Sequence, residues 1–208
     1  MKFYLSSYKL GNEIEKLKAM ISLSNKRTAY ISNALDFSDD SERRKQSEQA
    51  DIDQLNIVGL SDIEKIDLRD YFSKKDELEK KISGFDVIWV RGGNCFVLRQ
   101  AMKLSGFDEI LKDLFKKEGI IYGGYSAGVC VLAPTLKGID LIDDPKVNPY
   151  TNQEEIIWDG VDLLDYTILP HYKSDHFESE KVDEAVEYMK NNKIPFKPLR
   201  DGEVIIIE

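Results

Sequence analysis

Residues 85–90, FDVIWV, are an almost unbroken apolar run that ends at Gly92-Gly93-Asn94. A strand with one wet face alternates apolar and polar residues, whereas a continuous run marks a strand buried on both faces. That is the situation of a central strand in a parallel sheet covered by helices. The rest of the chain fits this reading. Residues 2–7 (strand), 12–24 (helix), 27–34 (buried strand), 40–53 (charged, exposed helix) and 55–61 (strand) precede it. A short helix over 76–84 is stopped by Gly84. Helices over 95–104 and 107–117 follow, then strand, tight turn and helix start over 119–128. Residues 165–172 read as a strand ending at Pro170, and 176–192 as an amphipathic helix. Residues 196–208 read as a final hairpin turning at Asp201-Gly202. Strands and helices alternating at this spacing predict an α/β layered fold with a mostly parallel sheet and right-handed crossovers. The stretch 137–160, with Pro145 and Pro149, is the least regular and suits a hairpin, a lid or a substrate loop.

Length and composition narrow the class. A chain of 208 residues suits one domain over 1–208, with 42% apolar and 32% charged residues in the range of globular proteins. The net charge of −9 argues against nucleic acid and anionic membrane as partners. The first apolar run is too short for a signal peptide, and no stretch approaches the roughly 20 apolar residues of a membrane span. The two cysteines, Cys95 and Cys130, are far apart, which predicts neither a disulfide framework nor a zinc cluster. Both read as core residues, and Trp89 and Trp158 as packing. The cytoplasm is the expected compartment.

In open parallel sheets, ligands bind beyond the carboxyl ends of the strands. The strands deliver four groups there: Gly92-Gly93-Asn94, Gly124-Tyr125-Ser126-Ala127-Gly128, Pro170-His171 and Asp201-Gly202. The GYSAG segment, between a strand and a helix, has the pattern of a nucleophile elbow, in which small neighbours let a serine project above the sheet. The following helix would aim its free N–H groups and dipole at the site. A serine hydroxyl needs a base at neutral pH. The chain has two histidines; His171, at a strand end, is the expected base, and His176 reads as a solvated residue at a helix entry. Asp201 and Asp140 are both placed to hold the histidine, and the residues alone leave them about even. The Gly92-Gly93-Asn94 turn could supply one oxyanion donor and the Ala127 N–H the other; Asn94 is read both as a substrate contact and as a helix N-cap. Asp143-Asp144 and Glu154-Glu155 show no metal-ligand spacing with histidine.

With these residues in view, the chain resembles the peptidase E family, serine peptidase family S51, whose members cleave N-terminal aspartyl dipeptides. The resemblance is carried by Gly92-Gly93-Asn94-Cys95-Phe96, Gly124-Tyr125-Ser126-Ala127-Gly128, Ala133-Pro134-Thr135, Leu169-Pro170-His171-Tyr172 and Leu199-Arg200-Asp201-Gly202, in matching order and spacing. It implies a three-layer α/β/α sandwich similar to the class I glutamine amidotransferases. It further implies Ser126 as nucleophile, His171 as base, Gly93 and Ala127 as the oxyanion hole, and an acid at Asp201, where the best-known members carry glutamate. Asp140 falls near a second acidic position assigned that role in the family, and the resemblance favours Asp201. None of Arg91, Lys173 and Arg200 matches the cation that an aspartyl preference requires. The resemblance implies a serine-type exopeptidase acting on small peptides through an acyl-enzyme, without metal or cofactor. A homodimer is compatible with it. Cyanophycin-cleaving relatives, another serine acyl hydrolase and a non-catalytic ligand-binding module are the alternative readings.

Overall fold

The computed structural model describes residues 1–21, 26–150 and 155–208. Its strands are β1 (Lys2–Ser6), β2 (Arg27–Ile31), β3 (Asp62–Lys65), β4 (Val87–Val90), β5 (Ile121–Tyr125), β6 (Thr167–Leu169), β7 (Phe196–Pro198) and β8 (Val204–Ile207). Its α-helices are α1 (Ile14–Ile21), α2 (Ser41–Ile57), α3 (Lys75–Ile82), α4 (Cys95–Ser105), α5 (Phe107–Phe115), α6 (Ala127–Cys130) and α7 (Ser179–Asn191). Six strands form one sheet in the order β3-β2-β4-β5-β1-β8. All neighbours are parallel except β8, which runs antiparallel to β1. The expected mostly parallel α/β fold is present, with β4 at its centre.

The pleat sorts the core into two layers. Phe3, Leu5, Ala29, Ile31, Ile88, Val90 and Tyr122 point to one face and pack with buried residues of α3 to α7. Tyr4, Tyr30, Val87, Trp89 and Ile121 point to the other and meet Leu17 and Ile21 of α1 and Leu55 of α2. The result is a three-layer α/β/α sandwich. Trp89 is a core residue, and Trp158 packs edge-on against Phe96 at 5.8 Å. No helix among the described residues is long and apolar enough to cross a membrane.

Two expectations need correction. Residues 55–61 are not a strand: α2 continues through Ile57, and the neighbouring strand is β3, further on. The apolar run is a helix terminus. Leu60 N–H donates to Leu55 O, and Gly59 N–H donates to Asn56 O, with Gly59 at φ 104°. These two bonds make a Schellman cap, whose left-handed residue glycine supplies without a Cβ clash. Second, residues 196–208 are not a hairpin. β7 pairs in parallel with β6 in a separate two-stranded sheet, while β8 joins the main sheet, so the Asp201-Gly202 turn passes between two sheets. The helix expected over 12–24 is present as α1 (Ile14–Ile21); residues 22–24 lie outside the described residues. The stretch 137–160 holds a single 3₁₀ turn, Ile139–Leu141, and a bridge between Thr135 and Asp159; residues 151–154 lie outside the described residues.

Candidate active site

The C-terminal ends of three adjacent strands set the site. In register, Ser6 of β1 lies beside Tyr125 of β5, and Val90 of β4 beside Gly124. Ser7, Ser126 and Arg91-Gly92 therefore leave the sheet together. Ser126 adopts φ 51°, ψ −121°, a sparsely populated conformation for a residue with a Cβ. It is held by crowding on both sides: a Cβ at Gly124 or at Gly128 would collide with the Val90 carbonyl oxygen. This is the strained strand-to-helix turn of a nucleophile elbow. The helix after it is only one turn, Ala127–Cys130. The dipole expected from a long helix is correspondingly small, and the local field at Ser126 rests on individual N–H groups.

His171 and Asp201 meet. Their segments are stitched by β6 and β7, with Leu199 N–H donating to Leu169 O and Tyr172 N–H to Leu199 O. His171 Nδ1 lies 2.8 Å from Asp201 Oδ1. An ionised carboxylate only accepts, so Nδ1 carries the proton and Nε2 keeps its lone pair. Asp201 is fixed in turn by its own N–H, which donates to Ser174 Oγ at 2.8 Å. Asp140 is elsewhere: its carboxylate accepts the Gly138 N–H at 2.8 Å within the 3₁₀ turn. Of the two candidate acids, Asp201 is the one placed against His171.

Ser7, unnoticed in the sequence, ties these parts together. It is fully buried. Its Oγ accepts the His171 backbone N–H at 2.9 Å and lies 2.8 Å from Asp201 Oδ1. His171 has φ 62°, a left-handed conformation uncommon for a side-chain-bearing residue. Ser7 therefore braces both the strained backbone of the histidine and the carboxylate that orients its ring. Ser7→Ala is expected to lower kcat about tenfold with KM little changed, the size of one hydrogen bond to a charged group. Steady-state kinetics beside a thermal melt would check it.

His171 and Ser126 line one small pocket. No hydrogen bond joins them among the described residues; such bonds commonly shorten only in the substrate complex. Burial lowers the His171 pKa below its ordinary value, with a further lowering from His176, against the opposing pull of Asp201. A base must be neutral to accept a proton. The acidic limb of a kcat/KM profile is therefore expected below pH 6.5, activity being lost as pH falls through the His171 pKa.

Gly93 and Ala127 flank the serine. Gly93 has φ 149°, and any Cβ there would strike the Ala34 backbone, so only glycine fits. Neither its N–H nor that of Ala127 has a backbone partner among the described residues. Asn94 lines the cleft, but its groups are committed to the protein. Oδ1 accepts the Phe96 and Val97 N–H groups, Nδ2 donates to Asp144 O, and its N–H donates to Ala34 O. It is the N-cap of α4, one of the two readings given to it.

The cleft above Ser126 has a volume of about 530 Å³. Two cations line it, Lys9 and Arg91, with four carboxylates, Asp51, Asp143, Asp144 and Glu178. Arg91 is buried, pairs through Nε with Asp51 Oδ2 at 3.3 Å, and donates from Nη2 to Ser47 Oγ at 3.1 Å. Tyr30 and Tyr125 hydroxyls donate to the same Asp51 oxygen at 2.9 and 2.7 Å. His176 is not a solvated helix-entry residue. Its ring stacks on that of His171, with centroids 3.7 Å apart and planes 8° apart. Glu178 follows, its pKa raised to about 7 by burial, with Asp143 adding to the rise. Cys95 and Cys130 are buried, as expected of core residues, and lie behind Ser126 in the small pocket.

Known proteins resemble the chain in sequence and in fold. The profile of Peptidase family S51 matches residues 6–208. The uncharacterized peptidase Lin0382 of Listeria innocua is 30% identical over 133 residues, covering 64% of this chain and 60% of that protein. The uncharacterized peptidase Lmo0363 of Listeria monocytogenes is 32% identical over 133 residues, covering 63% of this chain and 60% of that protein. The aligned part of the chain thus spans about 60% of the length of these relatives. Among solved structures, a candidate peptidase E protein from Listeria monocytogenes superposes with a TM-score of 0.74 at 25% identity, covering 99% of this chain and 93% of that one. A peptidase from an acI-B1 actinobacterium shares the fold, with a TM-score of 0.68 at 16% identity over 100% of this chain and 83% of that one. With the elbow, the His171–Asp201 pair and a family profile running over nearly its whole length, the chain belongs to peptidase family S51.

Proposed function

We propose that the protein is a serine-type exopeptidase that hydrolyses short peptides through an acyl-enzyme. The observation that carries the reading is the opening of one cleft onto both the strained Ser126 elbow and the imidazole that Asp201 holds with its Nε2 unprotonated. In this mechanism Nε2 of His171 takes the Ser126 hydroxyl proton as Oγ attacks the peptide carbonyl carbon. The N–H groups of Gly93 and Ala127 stabilise the negative oxygen. His171 then protonates the departing amine, a water enters, and the same histidine removes its proton as the acyl group leaves Ser126. Asp201 stabilises the imidazolium formed twice in this cycle.

The cleft volume matches a small substrate, since ligand pockets of this order bury most of a drug-sized molecule. Cations and carboxylates together on its wall suit a zwitterion such as a dipeptide. Arg91 and Lys9 are the partners offered to a substrate carboxylate, which supports an N-terminal aspartyl preference as the finer form of the proposal. The test is hydrolysis of Asp-p-nitroanilide and of Asp-Xaa and Ala-Xaa dipeptides. Cleavage with Asp above Ala is expected; cleavage of esters but no amides would instead make the protein a different acyl hydrolase. If no substrate is cleaved and a fluorophosphonate leaves Ser126 unlabelled, the elbow is only a turn.

A further inference from the structure

We propose that His171, His176 and Glu178 form a reversible site for a borderline divalent cation, Zn²⁺ first among them, and that its occupancy switches the peptidase off. The binding half of this inference stands alone; the inhibitory half rests on His171 acting as the base.

The three residues offer one ligand atom each, all within 4.8 Å of one another. Glu178 Oε2 lies 3.9 Å from His171 Nε2 and 3.6 Å from His176 Nδ1. Ligand atoms around a tetrahedral zinc sit about 3.3 Å apart, given metal–ligand distances of about 2.0–2.1 Å. Contraction by a few tenths of an ångström would bring the glutamate oxygen to that spacing from both nitrogens. The donor set, two imidazoles and a carboxylate, is one that holds zinc with a fourth position open. Here Ser126 and the cleft lie on that open side.

The protonation pattern suits a metal as well. His171 gives its Nδ1 proton to Asp201, the arrangement in which a carboxylate behind a ligating histidine fixes its tautomer and raises its basicity. His176 Nδ1 accepts the Glu178 backbone N–H at 3.3 Å, so it too carries a lone pair. Because the rings are nearly parallel, their in-plane lone pairs do not converge, and one ring has to turn. His171 is held by Asp201 and by Ser7, with its side chain 3% exposed. His176 lies on the loop before α7 and its side chain is 16% exposed, so it is the ring that turns.

All three ligands lie within eight residues of chain, His171 to Glu178, so little loop entropy opposes bringing them together. Glu178 has only a weak cationic neighbour in Lys181, and Asp143 and Asp201 add negative potential. A metal on Nε2 takes the lone pair that would deprotonate Ser126, so binding and catalysis exclude each other.

Calorimetry of the Ser126→Ala protein, freed of metal, with ZnCl₂ should show one site. Glu178→Gln and His176→Ala, each shown by a thermal melt to be folded, should each weaken it about tenfold or more, the scale of perturbing a metal ligand set. Zn²⁺ should slow hydrolysis and fluorophosphonate labelling of the unmodified protein over the same concentration range, with recovery on EDTA. Both variants should need about tenfold more zinc for half-inhibition, each relative to its own metal-free rate. No measurable binding, affinity unaltered in both variants, binding without inhibition, or activation by zinc would each overturn the proposal. If the unmodified protein neither cleaves peptides nor is labelled, the peptidase reading falls, while calorimetry still decides the site.

Discussion

Ser126→Ala is expected to lower kcat by about 10⁴-fold or more on any peptide the unmodified protein cleaves, the loss that follows removal of a nucleophile from a triad acting as a unit. The folded protein should hardly notice. Ser126 Oγ makes no hydrogen bond among the described residues, and alanine keeps the same Cβ at φ 51°, so the elbow is as strained as before. A loss of activity with an unshifted melting temperature would therefore separate chemistry from folding. KM should change little, since the methyl group leaves the cleft wall in place. The residual rate would measure what the Gly93 and Ala127 N–H groups and substrate positioning achieve without a nucleophile. A loss of tenfold or less would mean that water, or another group in the cleft, attacks the substrate, and the acyl-enzyme proposal would be withdrawn.

The second large effect is expected at Asp201. Asp201→Asn keeps the size of the side chain, but its amide can donate to Nδ1 and so favour the tautomer with the proton on Nε2, the wrong nitrogen for a base. Such a change costs about 10⁴-fold in kcat in a triad. Asparagine also removes the charge that stabilises the imidazolium. Asp140→Asn should stay within about threefold, as expected of a substitution at a half-buried turn residue that keeps an acceptor for one backbone N–H. Measuring kcat for both variants decides between the acids: a collapse at Asp140 with Asp201→Asn active would reverse the assignment.

How much of this could be read beforehand follows from the range of the interactions involved. The run 85–90 and the GYSAG segment are local signals, and each became the element it suggested, because a doubly buried strand and a crowded elbow restrict composition within a few residues. Gly93, Ser126 and His171 could be named as candidates for the same reason, whereas the residues alone left Asp201 even with Asp140 and the family resemblance favoured it. Residues 55–61 misled because Ile57 and Val58 look like strand material, while the decisive residue was Gly59, whose left-handed backbone ends a helix. Ser7 could not be found: nothing in SSYK announces that a hydroxyl will face a loop 164 residues away. His176 looked solvated because its helix-entry context is polar, whereas its burial comes from His171 and Tyr8, which only the fold brings to it.

The turn that carries Asp201 from one sheet to the other divides the proposed machinery between two sheets. The proposed nucleophile Ser126 and oxyanion donors Gly93 and Ala127 follow β5 and β4 of the main sheet. Base and acid are delivered by the two-stranded β6–β7 unit, with Ser7 as the rivet between them. Their alignment rests on a shared core, in which Ile168 and Leu169 of β6 are buried together with Val90 of β4 and Val129 of α6. A substitution in that shared packing could change turnover without touching any residue that meets the substrate.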